Sequence, residues 1–544
     1  MKRGVLLFIL LMIGFALCYV LVIRPTKKST DLLFFADKSP DDLRPIMPMN
    51  EQAKYLCELL YDGLVNKTTV KDGRENYQWA LVDKGGYREE SLDSHFLITI
   101  YLRKGVLWHN GREFTADDVI YTWKAINESD SYLKDWMNTF IESIDPVAGN
   151  NYKINIKLKV DRSMEAFMEL LSPVKIMPRS YTYKGQLREM PTNLSVKSEL
   201  SEEFKFRPIG TGPYRISKRS TSEKIILEVN EIPEEGYQYF LGFSSSPIRT
   251  LRMEKESDPL KAIKDLQKGA AIVFDVKQDF FNQIQDAPLN YSTYLPYSFY
   301  AIIYNTNRAP FNDVNFRQAV TLATNKNALA QTFILDPELR RLQTINFGIF
   351  PTSSGYSQYR PAEFIGMNEF DVARARECLG KLTSSKNSFH FLLCSQYDGQ
   401  KAAELAKMYA ESMKNLGIEV TVDDFAPPLY NRKMKDIDFD AVLYQFTGFD
   451  HLYDIRSLFG EGEMNYWGLR DDRLEKLLKT FGSTIDWEKL VDLARQIQKR
   501  INELVPGCFL FTVPRRAYYS NKLLDVTVHP EVGFSTVETW SLMK

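Results

Sequence analysis

Apolar residues recur along this chain at two spacings, one typical of strands and one typical of helices. Short apolar or alternating runs predict strands at Leu32 to Ala36 and at Phe96 to Leu102. Apolar residues three and four positions apart predict helices at residues 51–60, 116–127 and 164–171. Strands and helices therefore alternate, which indicates a mixed α/β fold of the α+β kind.

The clearest unit lies in the second half. Phe389 to Cys394 is predicted as a strand, residues 400–416 as an amphipathic helix that Gly417 terminates, and Ile418 to Val422 as a second strand. A strand, a helix and a strand with short links form a right-handed parallel unit. A further strand is predicted at Phe439 to Phe446.

Ligands of open α/β sheets bind outside the carboxyl ends of the strands. The predicted strand that ends at Phe446 therefore places the residues after it at the mouth of a cleft. These candidate ligand contacts are Thr447, Gly448, Phe449, Asp450 and His451.

The most distinctive segment runs from Leu102 to Trp123. A turn centred on Gly105 and Gly111 leads into a helix, for which Thr115 and Asp118 provide a capping box. The order of residues resembles the signature of the large substrate-binding proteins of ABC importers, the family that binds oligopeptides, dipeptides and nickel complexes. Three more segments resemble that family in the expected order: Tyr61 to Val65, Arg207 to Ile216, and Tyr304 to Val320.

The resemblance implies a two-lobed fold of the periplasmic-binding-protein type with an extra small domain on the first lobe. We expect an N-terminal segment at 1–29, a first lobe from 30–65, 196–290 and 506–544, a small α+β domain at 66–195, and a second lobe at 291–505. The implied function is capture of extended peptides between the lobes and delivery to ABC permease subunits. A monomer without a cofactor or catalytic residues is expected.

In peptide-binding members of this family, a carboxylate after the corresponding strand pairs with the α-ammonium group of the ligand. Asp450 is our first candidate, and a buried carboxylate is a suitable partner for a desolvated ammonium. Phe449 stands where the acid is usually found and the following Asp-Pro is missing, so Asp454 stays open as the alternative. A solvated loop carboxylate is the other interpretation of Asp450.

Three more residues are candidates on chemical grounds. Arg456 has the planar donor face that binds a carboxylate, although we favour an ordinary surface or structural ion pair. Tyr297 and Tyr300 belong to an aromatic strand whose alternation directs them to opposite faces, one toward the core and one toward the cleft.

The N-terminus predicts a membrane tether. Lys2 and Arg3 precede an uncharged run from Gly4 to Ile23, and about 20 residues of helix cross the hydrocarbon core of a membrane. We expect a retained anchor, with a cleaved signal or a lipoprotein signal at Cys18 as alternatives. The resemblance implies that the body faces the periplasm or the outside of the cytoplasmic membrane.

Composition narrows the possible functions. The formal net charge of -1, from 69 basic and 70 acidic residues, leaves no cationic surplus for nucleic acid. The chain has no nucleophile-elbow, phosphate-loop or zinc-binding motif, so we expect that the protein is not an enzyme and binds no metal ion. Two alternatives stay open: an anchored peptide receptor or chaperone-like binder without transport, and a binder of nickel chelates or other solutes, for which His451 is the histidine in the predicted cleft.

Overall fold

The computed structural model describes residues 31–69, 75–92, 95–159, 164–221, 223–231, 248–274, 276, 280–284, 286–296, 298–349, 368–382, 389–396, 401–446, 454–460, 465–482, 484, 487–528, 533–534 and 536–543. The predicted membrane segment lies outside these residues. Within them, no helix combines the length and the apolar character needed to cross a membrane.

A seven-stranded mixed sheet, the first sheet, is centred on the predicted strand Asp31–Ala36. Leu32, Phe34 and Ala36 face the helix Glu51–Leu60, whereas Phe35 faces the opposite layer, as period-2 alternation requires. The central strand is parallel to both of its neighbours. In spatial order the strands are Tyr214–Ile216, Lys224–Val229, Thr250–Lys255, Asp31–Ala36, Ala270–Val273, Arg515–Ser520 and Leu289–Tyr294.

A four-stranded antiparallel sheet, the small sheet, lies between the first two parts of the first sheet in sequence. The helices Ala116–Glu128 and Met164–Leu171 occur where the apolar spacing predicts them. Thr115 precedes the first of these helices, and its amide donates to the Asp118 carboxylate over 3.0 Å, as in a capping box. The strand order is Val82–Leu92, His95–Leu102, Asn150–Leu158 and Ile141–Val147.

A five-stranded sheet, the second sheet, contains the predicted parallel unit. Phe389–Gln396 and Ile418–Phe425 are parallel and are joined by the helix Lys401–Met413. Gly417 ends that segment with φ of 69°, a left-handed conformation that suits glycine. The strand order is Ile418–Phe425, Phe389–Gln396, Ala441–Phe446, Phe299–Tyr304 and Gly507–Phe509.

The remaining elements cover the sheets or join them. Short two-stranded ribbons are Val65–Thr69 with Glu75–Trp79, Ser180–Tyr183 with Gln186–Glu189, Thr344–Ile345 with Phe511–Thr512, and Leu523–Leu524 with Ser541–Leu542. The other helices are Lys134–Phe140, Glu199–Phe206, Pro259–Asp265, Phe281–Ile284, Val314–Leu322, Lys326–Phe333, Pro337–Leu342, Val372–Gly380, Pro427–Lys435, Asp454–Phe459, Asp472–Gly482 and Trp487–Leu504, with 3-10 turns at Leu266–Lys268, Lys414–Leu416 and Val537–Thr539.

The chain passes from the first sheet to the second between Tyr294 and Phe299 and returns between Phe509 and Arg515. The strand Leu289–Tyr294 belongs to the first sheet, and Gly507–Phe509 belongs to the second. The crossings therefore fall a few residues away from the expected domain limits at 291 and 506. The division into two lobes and a small domain at those residue numbers stays a prediction.

Candidate ligand site

The strand Ala441–Phe446 ends in a buried aromatic stack. The ring of Phe446 lies 4.9 Å from that of Phe299 and 5.8 Å from that of Trp467, and both pairs are nearly parallel. Trp467 is fully buried and also stacks on Phe459 at 5.1 Å. Because packed rings of this size leave little freedom, the carboxyl end of the strand is held firmly in place.

Most of the predicted ligand contacts lie immediately beyond this end. Thr447, Gly448, Phe449, Asp450 and His451 fall outside the residues that the structure describes. Their assignment to the cleft stays a prediction. What the structure gives is the framework on either side of them.

Asp454 and Arg456 belong to the short helix Asp454–Phe459. Its apolar residues Ile455 and Leu458 are buried, and Phe459 completes the aromatic stack. Both ends of the 447–453 segment are therefore tied to one cluster of rings. The helix positions the backbone of Asp454 and Arg456 close to the candidate loop, and their role in binding stays a prediction.

Tyr297 lies outside the described residues, whereas Tyr300 is half-buried in the strand Phe299–Tyr304. The Tyr300 ring lies 5.5 Å from that of Phe333 and 6.2 Å from that of Phe511. Phe299 packs on the opposite face of the sheet, so the predicted alternation is correct for these two neighbours. Both faces pack against buried side chains, and a ligand contact of Tyr300 stays a prediction.

The first sheet has an equivalent strand end, which the sequence reasoning did not single out. The strand Asp31–Ala36 is parallel to its neighbours and is followed by a loop that is braced by its own side chains. The backbone amide of Asn50 donates to the Asp41 carboxylate, and its side-chain amide donates to the Ser39 carbonyl, both over 2.9 Å. Gln52 donates to Asp37 over 3.1 Å. The rule that ligands bind at the carboxyl ends of parallel strands would have identified this loop.

A second missed group lies where the chain crosses between the sheets. Arg515 is 3.3 Å from the Glu51 carboxylate and donates to the Ser298 hydroxyl over 3.4 Å. Ser298 belongs to the first crossing and Arg515 follows the second. No motif marks these residues, since 217 positions separate the arginine from the serine.

The segments that carry the family resemblance meet in a structural joint between the first sheet and the small sheet. His109 accepts a hydrogen bond from the Gly210 amide at Nδ1, and its Nε2 lies 3.0 Å from the Gly212 carbonyl. Thr211 donates to the buried Asp62 carboxylate over 3.0 Å. These residues hold the two units together, so their characteristic order reflects packing at this joint.

Burial shifts the pKa values of two side chains in this joint, His109 and Asp62. The pKa of His109 is lowered to about 4, mainly because burial disfavours the imidazolium, so the ring is neutral at pH 7 and Nε2–H donates to Gly212. Burial raises the pKa of Asp62, while the cation of Lys175 and hydrogen bonds from Asn66 and Thr211 oppose that rise. Lys175 itself lies 2.8 Å from Glu58.

The fourth resembling segment has a similar structural role in the second sheet. The side chain of Asn305 donates to the carbonyls of Ile437 and Phe439 over 3.1 and 2.9 Å. Thr306 donates to the carbonyl of Trp467 over 3.0 Å. These bonds fix the entry to the strand Ala441–Phe446 and the tryptophan that stacks at its end.

In the part of the chain that the structure describes, the side chains form no site for a metal ion or for thiol chemistry. There, no three His, Cys, Asp or Glu side chains are grouped so that they could hold a metal ion. Cys57, Cys394 and Cys508 are buried free thiols, and Cys378 is a partly buried free thiol. Burial raises the pKa of Cys394 to about 11, which keeps it protonated.

Comparison with known proteins agrees with this architecture. Residues 89–465 match the model of the bacterial extracellular solute-binding proteins, family 5. The oligopeptide-binding protein AppA of Bacillus subtilis is 24% identical over 476 residues, which is 84% of this chain and 82% of AppA. The AppA structure with a nonapeptide superposes with a TM-score of 0.69 at 22% identity, covering 94% of this chain and 99% of AppA. The structure of NikZ from Campylobacter jejuni with Ni(L-His) superposes with a TM-score of 0.72 at 17% identity, covering 94% of this chain and 99% of the NikZ chain. The match over more than half of the chain means that this protein belongs to the family 5 extracellular solute-binding proteins.

Proposed function

We propose that this protein is the substrate-binding component of an ABC-type peptide importer, which captures extended peptides and delivers them to a membrane permease. One observation carries the proposal: a relative named as oligopeptide-binding aligns over 84% of the chain. The two-sheet architecture supports it, because periplasmic binding proteins close two domains around a ligand. The hydrolysis of ATP then belongs to other chains.

The strand ends suggest how a peptide is held. The loop after Asp31–Ala36 and the 447–453 segment each follow the carboxyl end of a parallel strand. We propose that they form opposing walls of the cleft and bind the peptide through main-chain hydrogen bonds, which are insensitive to the ligand's side chains. Asp450 then pairs with the peptide's amino terminus, with Asp454 as the alternative.

Thermal unfolding of the full chain with peptides tests this function. A ligand that binds only the folded state stabilises it by about 2.7 kcal/mol at a hundredfold excess over its dissociation constant. We expect di- to hexapeptide pools to raise the unfolding temperature. A shift with a nickel–histidine chelate or a sugar, and none with any peptide pool, would contradict the peptide assignment.

The same assay identifies the carboxylate when each free peptide is paired with its N-acetylated form. Asp450→Asn keeps the shape of the side chain but removes its charge, so the free peptide should bind more weakly by at least about 2 kcal/mol. The acetylated peptide lacks the ammonium and should be unaffected. Asp454→Asn is the matched control. Loss of the preference in Asp454→Asn alone would assign the role to Asp454.

We also propose that residues 1–29 tether the protein to the membrane, with its body on the periplasmic or extracellular face. Extraction of membranes with sodium carbonate should then leave the full chain in the pellet. A mature N-terminus within residues 1–29, or a lipid on Cys18, would overturn the retained anchor. Co-purification of permease subunits separates an importer from a receptor without transport.

A further inference from the structure

An ion-pair cluster built on a buried arginine lies beside the crossings between the two sheets. Arg516 lies in the first sheet, and its side chain is only 5% exposed. Its two terminal nitrogens contact both carboxylate oxygens of Asp336 at 3.0 and 3.1 Å. It also pairs with Glu338. A bidentate pair of this kind fixes orientation as well as distance.

Aromatic rings confine the guanidinium further. Its central carbon lies 4.6 Å from the Phe281 ring centroid and 4.4 Å from that of Tyr291. The Tyr291 hydroxyl donates to Glu338 over 2.7 Å, which links the same carboxylate to a second residue of the first sheet. Stacking and pairing together leave the arginine little freedom to follow a moving partner.

Asp336 is also held in place, but it belongs to the other side. The Asp336 carboxylate accepts the amides of Glu338 and Leu339, both at 2.9 Å, and so caps the helix Pro337–Leu342. Before this helix, Phe333 packs on Tyr300 of the second sheet. After it, Thr344–Ile345 pairs with Phe511–Thr512. The segment is therefore packed on the second sheet at one end and paired, at the other, with the chain that leaves that sheet.

The cluster also lies at the crossings themselves. Arg516 is the second residue of its strand and stands opposite Thr293, one residue before the first crossing strand ends. Points next to a rotation axis move least when two lobes rotate. A rigid contact at this place therefore survives opening and closing, while it restricts twisting and sliding.

We propose that Arg516, Asp336 and Glu338 form a fixed pivot that restricts twisting and sliding between the two sheets in the ligand-free protein. This inference rests on the proposed two-lobed binding function, and it concerns how that function is tuned. A pivot narrows the range of lobe orientations before binding. A preorganised site loses less entropy when it takes up its ligand, so the pivot favours affinity.

Pulsed electron-spin distance measurements on the ligand-free full chain in detergent test the pivot. Spin labels at Lys218→Cys and Glu411→Cys, both exposed, report the separation of the two sheets. Cys18 and Cys378 are replaced by Ser, since the other thiols are buried. We expect Arg516→Met to broaden the distance distribution by at least about twofold, because one rigid contact is lost.

Milder variants keep the test informative if Arg516→Met does not fold. Glu338→Gln removes one charge, and Arg516→Lys keeps the charge but loses the bidentate geometry, so both should broaden the distribution less. Arg500→Met is the matched control. Arg500 is bidentate to Asp471 at 3.0 and 2.6 Å and pairs with Glu503 at 2.9 Å, all on the second-lobe side.

Distributions in the folded Arg516→Met or Glu338→Gln variants that match the parent would overturn the pivot. Equal broadening in Arg500→Met would also overturn it, because a general loss of stability would then explain the effect. No peptide enters this measurement. A failure of the pivot and a failure of the peptide assignment are therefore told apart.

Discussion

The burial of one histidine, His109, makes the stability of the whole protein depend on pH. His109 accepts from the Gly210 amide and donates to the Gly212 carbonyl, which requires the neutral ring. Protonation would place a charge in a partly buried position and would remove the acceptor at Nδ1. The folded pKa of about 4, below the usual 6.5, expresses this preference.

The sign of the pH dependence follows from that lowered pKa. Between pH 6.5 and about 4 the unfolded chain binds a proton that the folded chain does not, so stability falls as the pH falls. Above pH 6.5 both states are neutral at this site and the contribution is constant. We expect the free energy of unfolding to fall by on the order of 2 kcal/mol between pH 6.5 and about 4, allowing for the part of the ring that water reaches.

Chemical denaturation at a series of pH values measures this effect. His109→Gln should be less stable at pH 7 and should lose the part of the slope between pH 4 and 6.5 that comes from the imidazole. The matched control is His390→Gln, because His390 is exposed and bonded to Thr421. An unchanged slope in His109→Gln would show that other groups account for the pH dependence.

The sequence places the chemistry of individual residues less well than the elements that carry them. The run around His109 is recognisable, but its partners are 101 and 103 positions away, so no local pattern reveals the joint. Arg516 has no motif at all. Its partner Asp336 lies 180 positions earlier, so the pair becomes apparent only once the sheets are assembled.

At the scale of elements, the same joint depends on two glycines. A Cβ on Gly210 would lie 1.7 Å from the carbonyl oxygen of Leu60, and one on Gly212 would lie 2.5 Å from that of Leu59. The obstacle is the backbone at the end of the helix Glu51–Leu60, which cannot turn aside as a side chain can. The helix and the glycine segment must therefore separate if either glycine gains a side chain.

Gly210→Ala should accordingly lower the free energy of unfolding by at least about 3 kcal/mol, at the upper end of the cost of overpacking. The control is Gly269→Ala, since a Cβ there meets nothing within 4 Å and the backbone is extended. Urea titration of both variants measures the difference. Similar midpoints for the two would mean that the joint relaxes without cost.

Elements with a strong periodic pattern could be predicted from the sequence alone. The strand–helix–strand unit around Lys401–Met413 is parallel as expected, and Gly417 ends its helical segment in the left-handed conformation. The small ribbons, such as Thr344–Ile345 with Phe511–Thr512, could not be predicted. Two-residue strands have no period to detect, and their partners are set by tertiary packing.

At the scale of the whole molecule, the buried clusters do not follow the boundaries of the sheets. One contiguous cluster contains Phe35 and Tyr518 from the first sheet together with Ile302 and Tyr304 from the second. Leu339, in the helix that contains Glu338 and is capped by Asp336, belongs to the same cluster. The family resemblance predicts two lobes, but the packing that joins them depends on which side chains meet at the crossings.

Shared burial makes separate unfolding of the two sheets costly. If the first sheet unfolded alone, the partners of Phe35 and Tyr518 on the second sheet would be exposed, at a cost of about 25 cal/mol for each Å² of apolar surface. The buried charges of Asp336 and Arg516 would also lose each other, which is strongly unfavourable. Both terms favour unfolding of the two sheets together.

We therefore expect calorimetry of the full chain to show one cooperative transition for the two sheets, in spite of the size of the protein. A saturating peptide should move that transition upward as a unit, because the ligand contacts both walls of the proposed cleft. Arg516→Met should weaken the coupling and split or broaden the transition. Arg500→Met should lower the transition temperature without splitting the transition. Two transitions in the parent, of which only one responds to peptide, would mean that the shared cluster does not couple the lobes and that the ligand contacts one of them alone.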